Sequence, residues 1–166
     1  LTTNPAVNMD YPALVAAAAE AGLSSDLTPQ AVSQLVCQIR RQKLPDPQVT
    51  PNAGSFFKNP VVADSTAAEL LKLYPQMPVY PQPNQRAKIA AAWLIDYCGF
   101  KGVRRGYLGV HQHQALVLVN YPVKGEGGGT GQQLLELAEE LRRAVQQRFS
   151  ISLEIEPRVY GLAVDG

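Results

Sequence analysis

At 166 residues the chain is long enough for one domain of ordinary size with a further segment attached. An apolar share of 46% supports a true core, and a net charge of +1 excludes a global pull toward nucleic acid or an anionic membrane, so an anionic ligand has to be caught by local basic groups. No apolar run approaches the roughly 20 residues that span a bilayer, no basic-then-apolar leader opens the chain, and the start at Leu1 rather than Met points to processing or a fragment.

In chain order, YPALVAAAAEAG predicts an Ala-rich helix with Asp10 as N-cap and Gly22 as stop. Thr28 followed by Pro29 predicts a second helix start, with Val32, Leu35, Val36 and Ile39 as one apolar stripe. Arg40, Arg41 and Lys43 suit its C-terminal end. The Pro-rich KLPDPQVTPNAGS reads as the connection at a domain boundary. In PNAGSFFKNP, two prolines and Gly54 argue for a loop. Phe56 and Phe57 cannot both face one core if that segment is extended.

A short helix is predicted near STAAELLKLY, capped by Asp64 or Ser65, then a loop through PQMPVYPQPN. RAKIAAAWLIDYCG reads as a helix stopped by Gly99. ALVLVNY is an unbroken apolar run, a strand buried on both faces. GEGGGTG predicts a flexible loop. Thr130 and Gln133 form a capping box before a long helix with Leu134, Ala138, Leu141 and Val145 on one face. SISLEIE alternates as a strand, with Ile151, Leu153 and Ile155 opposite Ser152, Glu154 and Glu156. RVYGLAV predicts a last short strand. The fold class is α+β, without enough strands for a doubly wound sheet.

Few residues suggest chemistry by themselves. GEGGGTG precedes a helix start that would suit a phosphate, yet it lacks the P-loop ending and the dinucleotide spacing. His111 and His113 could share one side of a strand, but two ligands make no metal site, and no metal is expected. Glu154 and Glu156 share a polar face that solvent can wet, or that can present a fixed carboxylate to a cleft. Cys37 and Cys98 lack metal spacing. They read as reduced core thiols, which fits a reducing cytoplasm, with one buried disulfide as the other reading. Ser55 has no triad partners nearby; a fixed hydroxyl can still donate a proton to a carbanion. Lys43, Lys58 and Asn59 suit a phosphate or pyrophosphate.

The motifs KLPDP, NAGSFFKNP, AAWLID-CG-KG, H-x-QALVLVN and a closing LE-E-R-G follow one another over nearly the whole chain. In this order they resemble the UDP-N-acetylenolpyruvoylglucosamine reductases (the MurB family, also called UDP-N-acetylmuramate dehydrogenases), flavoenzymes of peptidoglycan precursor synthesis. The Pro-rich loop before the Trp93 helix is similar to the type I form, which carries a substrate-loop Tyr. The resemblance implies the C-terminal portion of a three-domain enzyme. Residues 1–43 would be the tail of the second flavin-binding domain, 44–158 the substrate-binding domain, and 159–166 a strand returning toward the first domain. FAD and NADPH are then expected mainly from domains outside this chain, as are the family's catalytic Arg and substrate-binding Tyr.

By the same resemblance, the substrate is UDP-N-acetylglucosamine enolpyruvate, reduced to UDP-N-acetylmuramate in the bacterial cytoplasm. Ser55 stands at the proton donor to C2 and Glu156 at the second catalytic acid. Lys43 and Asn59 match substrate contacts at the diphosphate, and Gln114 is a further substrate-binding match. The family's Pro is displaced by two positions here, which leaves Glu154 and Glu156 both open; counting back from Arg158 and Gly161 favours Glu156. VRRGYLGVHQHQ is more basic and aromatic than the family's small-residue version, enough to alter a pocket wall. The isolated chain is expected to be inactive in redox chemistry, and the alternative is a stand-alone UDP-sugar-binding module.

Overall fold

The structure is a computed structural model and describes residues 7–23 and 27–161. The chain divides into two compact units, Leu1–Asp46 and Pro47–Gly166. In the first, helices α1 (Pro12–Glu20) and α2 (Pro29–Lys43) bury Leu14, Ala18, Leu35 and Ile39 against each other. Thr28 caps α2 as its sequence demands, its side chain accepting the Ala31 N–H at 3.2 Å. Asp10 does not cap α1. Tyr11 occupies the cap position with no side-chain bond, because Pro12 already sets the first helical turn. Val36 departs from the predicted stripe and is exposed, and so is Cys37.

The second unit is α+β with two small antiparallel sheets. One sheet orders β1 (Asn52–Ser55), β7 (Val117–Asn120), β6 (Leu108–Val110) and β5 (Arg104–Arg105) side by side. The other orders β2 (Val61–Ala63), β4 (Arg86–Ile89) and β3 (Val79–Gln82). Helices α3 (Asp64–Leu73), α4 (Ala91–Tyr97) and α5 (Gly131–Phe149) complete the unit. α5 lays Leu137, Ala138, Leu141, Val145 and Phe149 into one core with Ile89, Leu94, Ile95, Val110 and Leu118. Among the described residues no helix is long and apolar enough to cross a membrane.

Several expectations are corrected. Residues 79–89, expected as a loop and the start of a helix, form the β3–β4 hairpin instead; its turn residues Asn84 and Gln85 both have positive φ, 60° and 53°. Alternate burial of Ala87 and Ile89 outweighs the helix propensity of Arg, Ala and Lys. α3 starts at Asp64, with Ala63 at the cap and no side-chain bond. SISLEIE keeps its alternation of burial but forms a single bridge, Phe57 to Ile155, rather than a ladder. No strand is present in 158–161, and the rest of RVYGLAV lies outside the described residues. His111 and His113 occupy a bend after β6, not a strand.

The Gly-rich loop is held at its C-terminal end rather than loose. The Asn120 carboxamide accepts the Gly129 N–H at 3.0 Å and donates to its carbonyl at 2.9 Å. A Cβ on Gly129 would stand 2.5 Å from Cγ of buried Leu108. Thr130 and Gln133 then close the predicted capping box of α5.

Candidate functional site

Asn52 initiates the geometry around Ser55. Its Oδ1 accepts the Gly54 N–H at 2.9 Å and its Nδ2 donates to the Thr50 carbonyl at 2.8 Å. Gly54, at φ +73°, takes up the irregularity that shifts the β1–β7 register between Asn52 and Ser55. Ser55 is consequently exposed at the end of β1, opposite Val117.

Beyond Ser55 the backbone changes partners. The Phe56 N–H donates to Leu116 of the β7 side at 2.8 Å, while the Phe56 carbonyl accepts the Glu156 N–H at 3.0 Å. The Lys58 N–H then donates to the Glu154 carbonyl at 2.9 Å. Phe56 and Phe57 are therefore both buried, 4% and 1% exposed, and meet edge to face at 5.4 Å between centroids. Strict alternation fails because the segment is wedged between two partners and the core wraps it. These two rings fix the loop that carries Ser55.

Ser55 and Glu156 are thus brought together: Glu156 is bonded through its backbone to the residue after Ser55, and its side chain is exposed. The segment bearing it is tied down from α5, where Arg142 Nε donates to the Leu153 carbonyl at 3.0 Å. Glu154 differs from Glu156, since its carboxylate pairs with Lys58. Gln114 lies in the turn entering β7; its carbonyl accepts the N–H of Val117, the residue opposite Ser55, at 2.9 Å. In the same bend the His111 and His113 rings stand 5.7 Å apart. Burial, then the His113 charge, lowers the His111 pKa. Among the described residues no cluster of three or more His, Cys, Asp or Glu is placed to hold a metal.

Asn59 lines a surface cleft of about 500 Å³ with Lys58, Thr66, Ser150, Ser152 and Glu154. Its Oδ1 accepts the Ala91 N–H at 2.9 Å, a bond across the chain that sequence spacing does not announce. Lys43 is the last residue of α2 in the first unit, and it is exposed. A second group the sequence did not signal is aromatic. Tyr74, Trp93, Tyr97 and Phe149 pack together, with the Arg148 guanidinium 5.4 Å from the Tyr97 ring centre. Cys98 is a free, half-buried thiol whose pKa burial pushes up, opposed by the Arg148 charge.

Comparison with known proteins gives the family. The UDP-N-acetylenolpyruvoylglucosamine reductase C-terminal domain matches residues 46–160. The UDP-N-acetylenolpyruvoylglucosamine reductase of Pseudomonas aeruginosa is 47% identical over 160 residues, covering 96% of this chain and 45% of that protein. The protein of the same name from Chromobacterium violaceum is 52% identical over 132 residues, 80% of this chain and 37% of the relative. The one from Porphyromonas gingivalis is 46% identical over 156 residues, 94% and 44%. The chain spans less than half the length of each of these relatives. With the match covering most of its length, the chain belongs to the family of UDP-N-acetylenolpyruvoylglucosamine reductase C-terminal domains.

Proposed function

We propose that this chain is the substrate-binding portion of a bacterial cytoplasmic reductase that converts UDP-N-acetylglucosamine enolpyruvate to UDP-N-acetylmuramate. The observation that carries the reading is the backbone bond that ties Glu156 to Phe56, the residue after Ser55, in a chain of this family. FAD and NADPH belong to the portion that precedes this domain in a longer polypeptide. The hydride is supplied from that portion.

What this chain supplies is proton handling and substrate orientation. Ser55 is exposed on a rigid bulge and gives its hydroxyl proton to C2 as negative charge develops there, help worth about 10² to 10⁴ in rate. Glu156 serves as the neighbouring acidic group that restores the proton or stabilises the enolic form. Glu154 is the weaker candidate because Lys58 already neutralises it. Asn59 holds the diphosphate, and Gln114 orients the substrate beside Ser55. Residues 1–43 belong to the tail of a flavin-binding domain.

Calorimetric titration with UDP-N-acetylglucosamine enolpyruvate tests the reading. Saturable binding, weakened by Asn59→Ala, supports it. A folded sample that takes up neither this ligand nor UDP-N-acetylglucosamine contradicts a preformed nucleotide-sugar site in this chain. A second reading is a UDP-sugar-binding module without redox activity of its own. A flavin-coloured purified chain would refute it.

A further inference from the structure

Gln114 is the shared corner of two tight turns. Its N–H donates to the His111 carbonyl at 3.3 Å, and its own carbonyl accepts the Val117 N–H at 2.9 Å. Ala115 beside it is 3% exposed and anchors the bend in the core. The second turn is closed by a short bond and the first by a long one. A further tie reinforces the first: the His113 N–H donates to Nδ1 of the His111 ring at 3.4 Å.

That tie defines the imidazole. A nitrogen that accepts an N–H must keep its lone pair, so His111 is neutral with its proton on Nε2. Burial and the nearby His113 both disfavour the charged ring, which has no lone pair to offer. The sheet places this ring. β6 and β7 pair Val110 with Leu118, and the next step sets His111 opposite Val117, whose carbonyl accepts the His111 N–H at 2.9 Å. Ser55 stands opposite Val117 from the other side. Ser55, Val117 and His111 thus form one row across the sheet, with their side chains on one face. Two strand spacings, about 10 Å, separate Ser55 from His111. That is too far for the imidazole to exchange a proton with the hydroxyl.

We infer that His111 is a positioning residue: the Nδ1 lone pair of its ring closes the bend that presents Gln114 to the nucleotide sugar in register with Ser55. This rests on the nucleotide-sugar reading above and deepens it by naming what sets the Gln114 side chain. A ring without an acceptor would leave the first turn to its 3.3 Å backbone bond alone.

The test compares replacements of opposite kinds. His111→Asn carries an oxygen near the place of Nδ1, whereas His111→Phe keeps a ring without an acceptor. His113→Asn retains the backbone N–H and is the control. In this chain, long-range proton–nitrogen correlation should show the Nε2–H tautomer. Exchange of the His113 amide should quicken by about three- to tenfold in His111→Phe and not in His111→Asn. In the polypeptide completed by the upstream portion, His111→Phe should raise KM for UDP-N-acetylglucosamine enolpyruvate by about three- to tenfold, with flavin reduction by NADPH unchanged. His111→Asn and His113→Asn should match the unaltered enzyme. Adding His111→Phe to Gln114→Ala should cost nothing beyond Gln114→Ala alone. A proton on Nδ1, a His111→Asn enzyme as impaired as His111→Phe, or losses that simply add would overturn the assignment. The tautomer is read on the unaltered chain, so the tie is judged even if His111→Phe does not fold. If the unaltered polypeptide does not turn over this substrate, the underlying reading falls, and tautomer and amide exchange still judge the tie.

Discussion

Replacing Gly129 with alanine puts a methyl group into space that Leu108 already fills. Its Cβ would stand 2.5, 2.6 and 3.0 Å from the Leu108 Cγ, Cδ2 and Cδ1 atoms. Retreat of the backbone is resisted by the two bonds from Asn120, and Leu108 itself is only 4% exposed. Overpacking of this kind costs about 1–3 kcal/mol. A cleft of about 230 Å³ bordered by Leu108, Gly129 and Leu134 gives the leucine somewhere to rotate, which argues for the lower half of that range. For a unit of this size the melting temperature should fall by roughly 3–8 °C. Gly131→Ala is the internal control: nothing lies within 4 Å of its Cβ, and alanine is the better residue in the first turn of α5. It should leave Tm unchanged or raise it. Combining Gly129→Ala with Leu108→Ala supplies the decisive comparison. Leu108→Ala alone opens a cavity costing about 2–5 kcal/mol, and the alanine methyl at 129 should recover part of that loss. A Gly129→Ala chain that melts with the unaltered one, or a double variant whose losses simply add, would refute the steric argument and restore the view of this loop as a loose tether.

Gln85→Gly should stabilise the hairpin by about 0.5–1 kcal/mol in denaturant melts, because glycine adopts the φ of 53° freely where glutamine is strained; a loss of stability would sink the strain argument. Ser55→Ala, in the polypeptide completed by the upstream portion, should slow flavin reoxidation by substrate by about 10²-fold or more and leave reduction by NADPH untouched. Stopped-flow absorbance separates the two half-reactions, and equal loss in both would refute the proton-donor role. In the same assay Glu156→Gln should be damaging and Glu154→Gln mild; the reverse ranking would transfer the acidic role to Glu154. Protonation of His111 is disfavoured in the folded state by burial and by His113, so its stabilising contribution is complete above pH 6.5 and is lost as the pH falls through its lower folded value. Chemical denaturation from pH 7.5 to 5 should show a shallower loss for His111→Asn, and an unchanged slope would contradict the shift.

What the sequence disclosed was what its neighbours in the chain decide. Thr28 with Pro29, and Thr130 with Gln133, announce helix starts because a cap and its target are three residues apart. The unbroken run 115–121 announces its burial for a similar reason, since apolar content alone requires it. The β3–β4 hairpin was hidden because its turn is Asn-Gln instead of Asn-Gly and because Arg86, Ala87 and Lys88 favour helix in isolation. SISLEIE disclosed which side chains turn inward, but a lone bridge to Phe57 is a distant choice that alternation does not encode. The candidate site shows the same division. Family resemblance pointed to Ser55 and Glu156, while the bond that ties Glu156 to the residue after Ser55 joins remote stretches of chain. The helix-capping oxygen of Asn59 and the Lys58–Glu154 pair had no local signal at all.

The clasp between the first strand of the second unit and its final segment has a temporal consequence. Lys58 and Glu154 are separated by 96 positions, and the bonds around them join nearly the two extremes of that unit. During synthesis, Phe57 emerges early, and its bridge to Ile155 must wait until that distant residue has been made. Contacts this distant in sequence also form slowly. The proposed proton donor and its acidic neighbour are therefore assembled at the closing moment of folding. A ribosome that stalls before residue 150 leaves a chain without the segment that bonds Phe56 and Lys58. The proposed chemistry waits for the segment that carries Glu156.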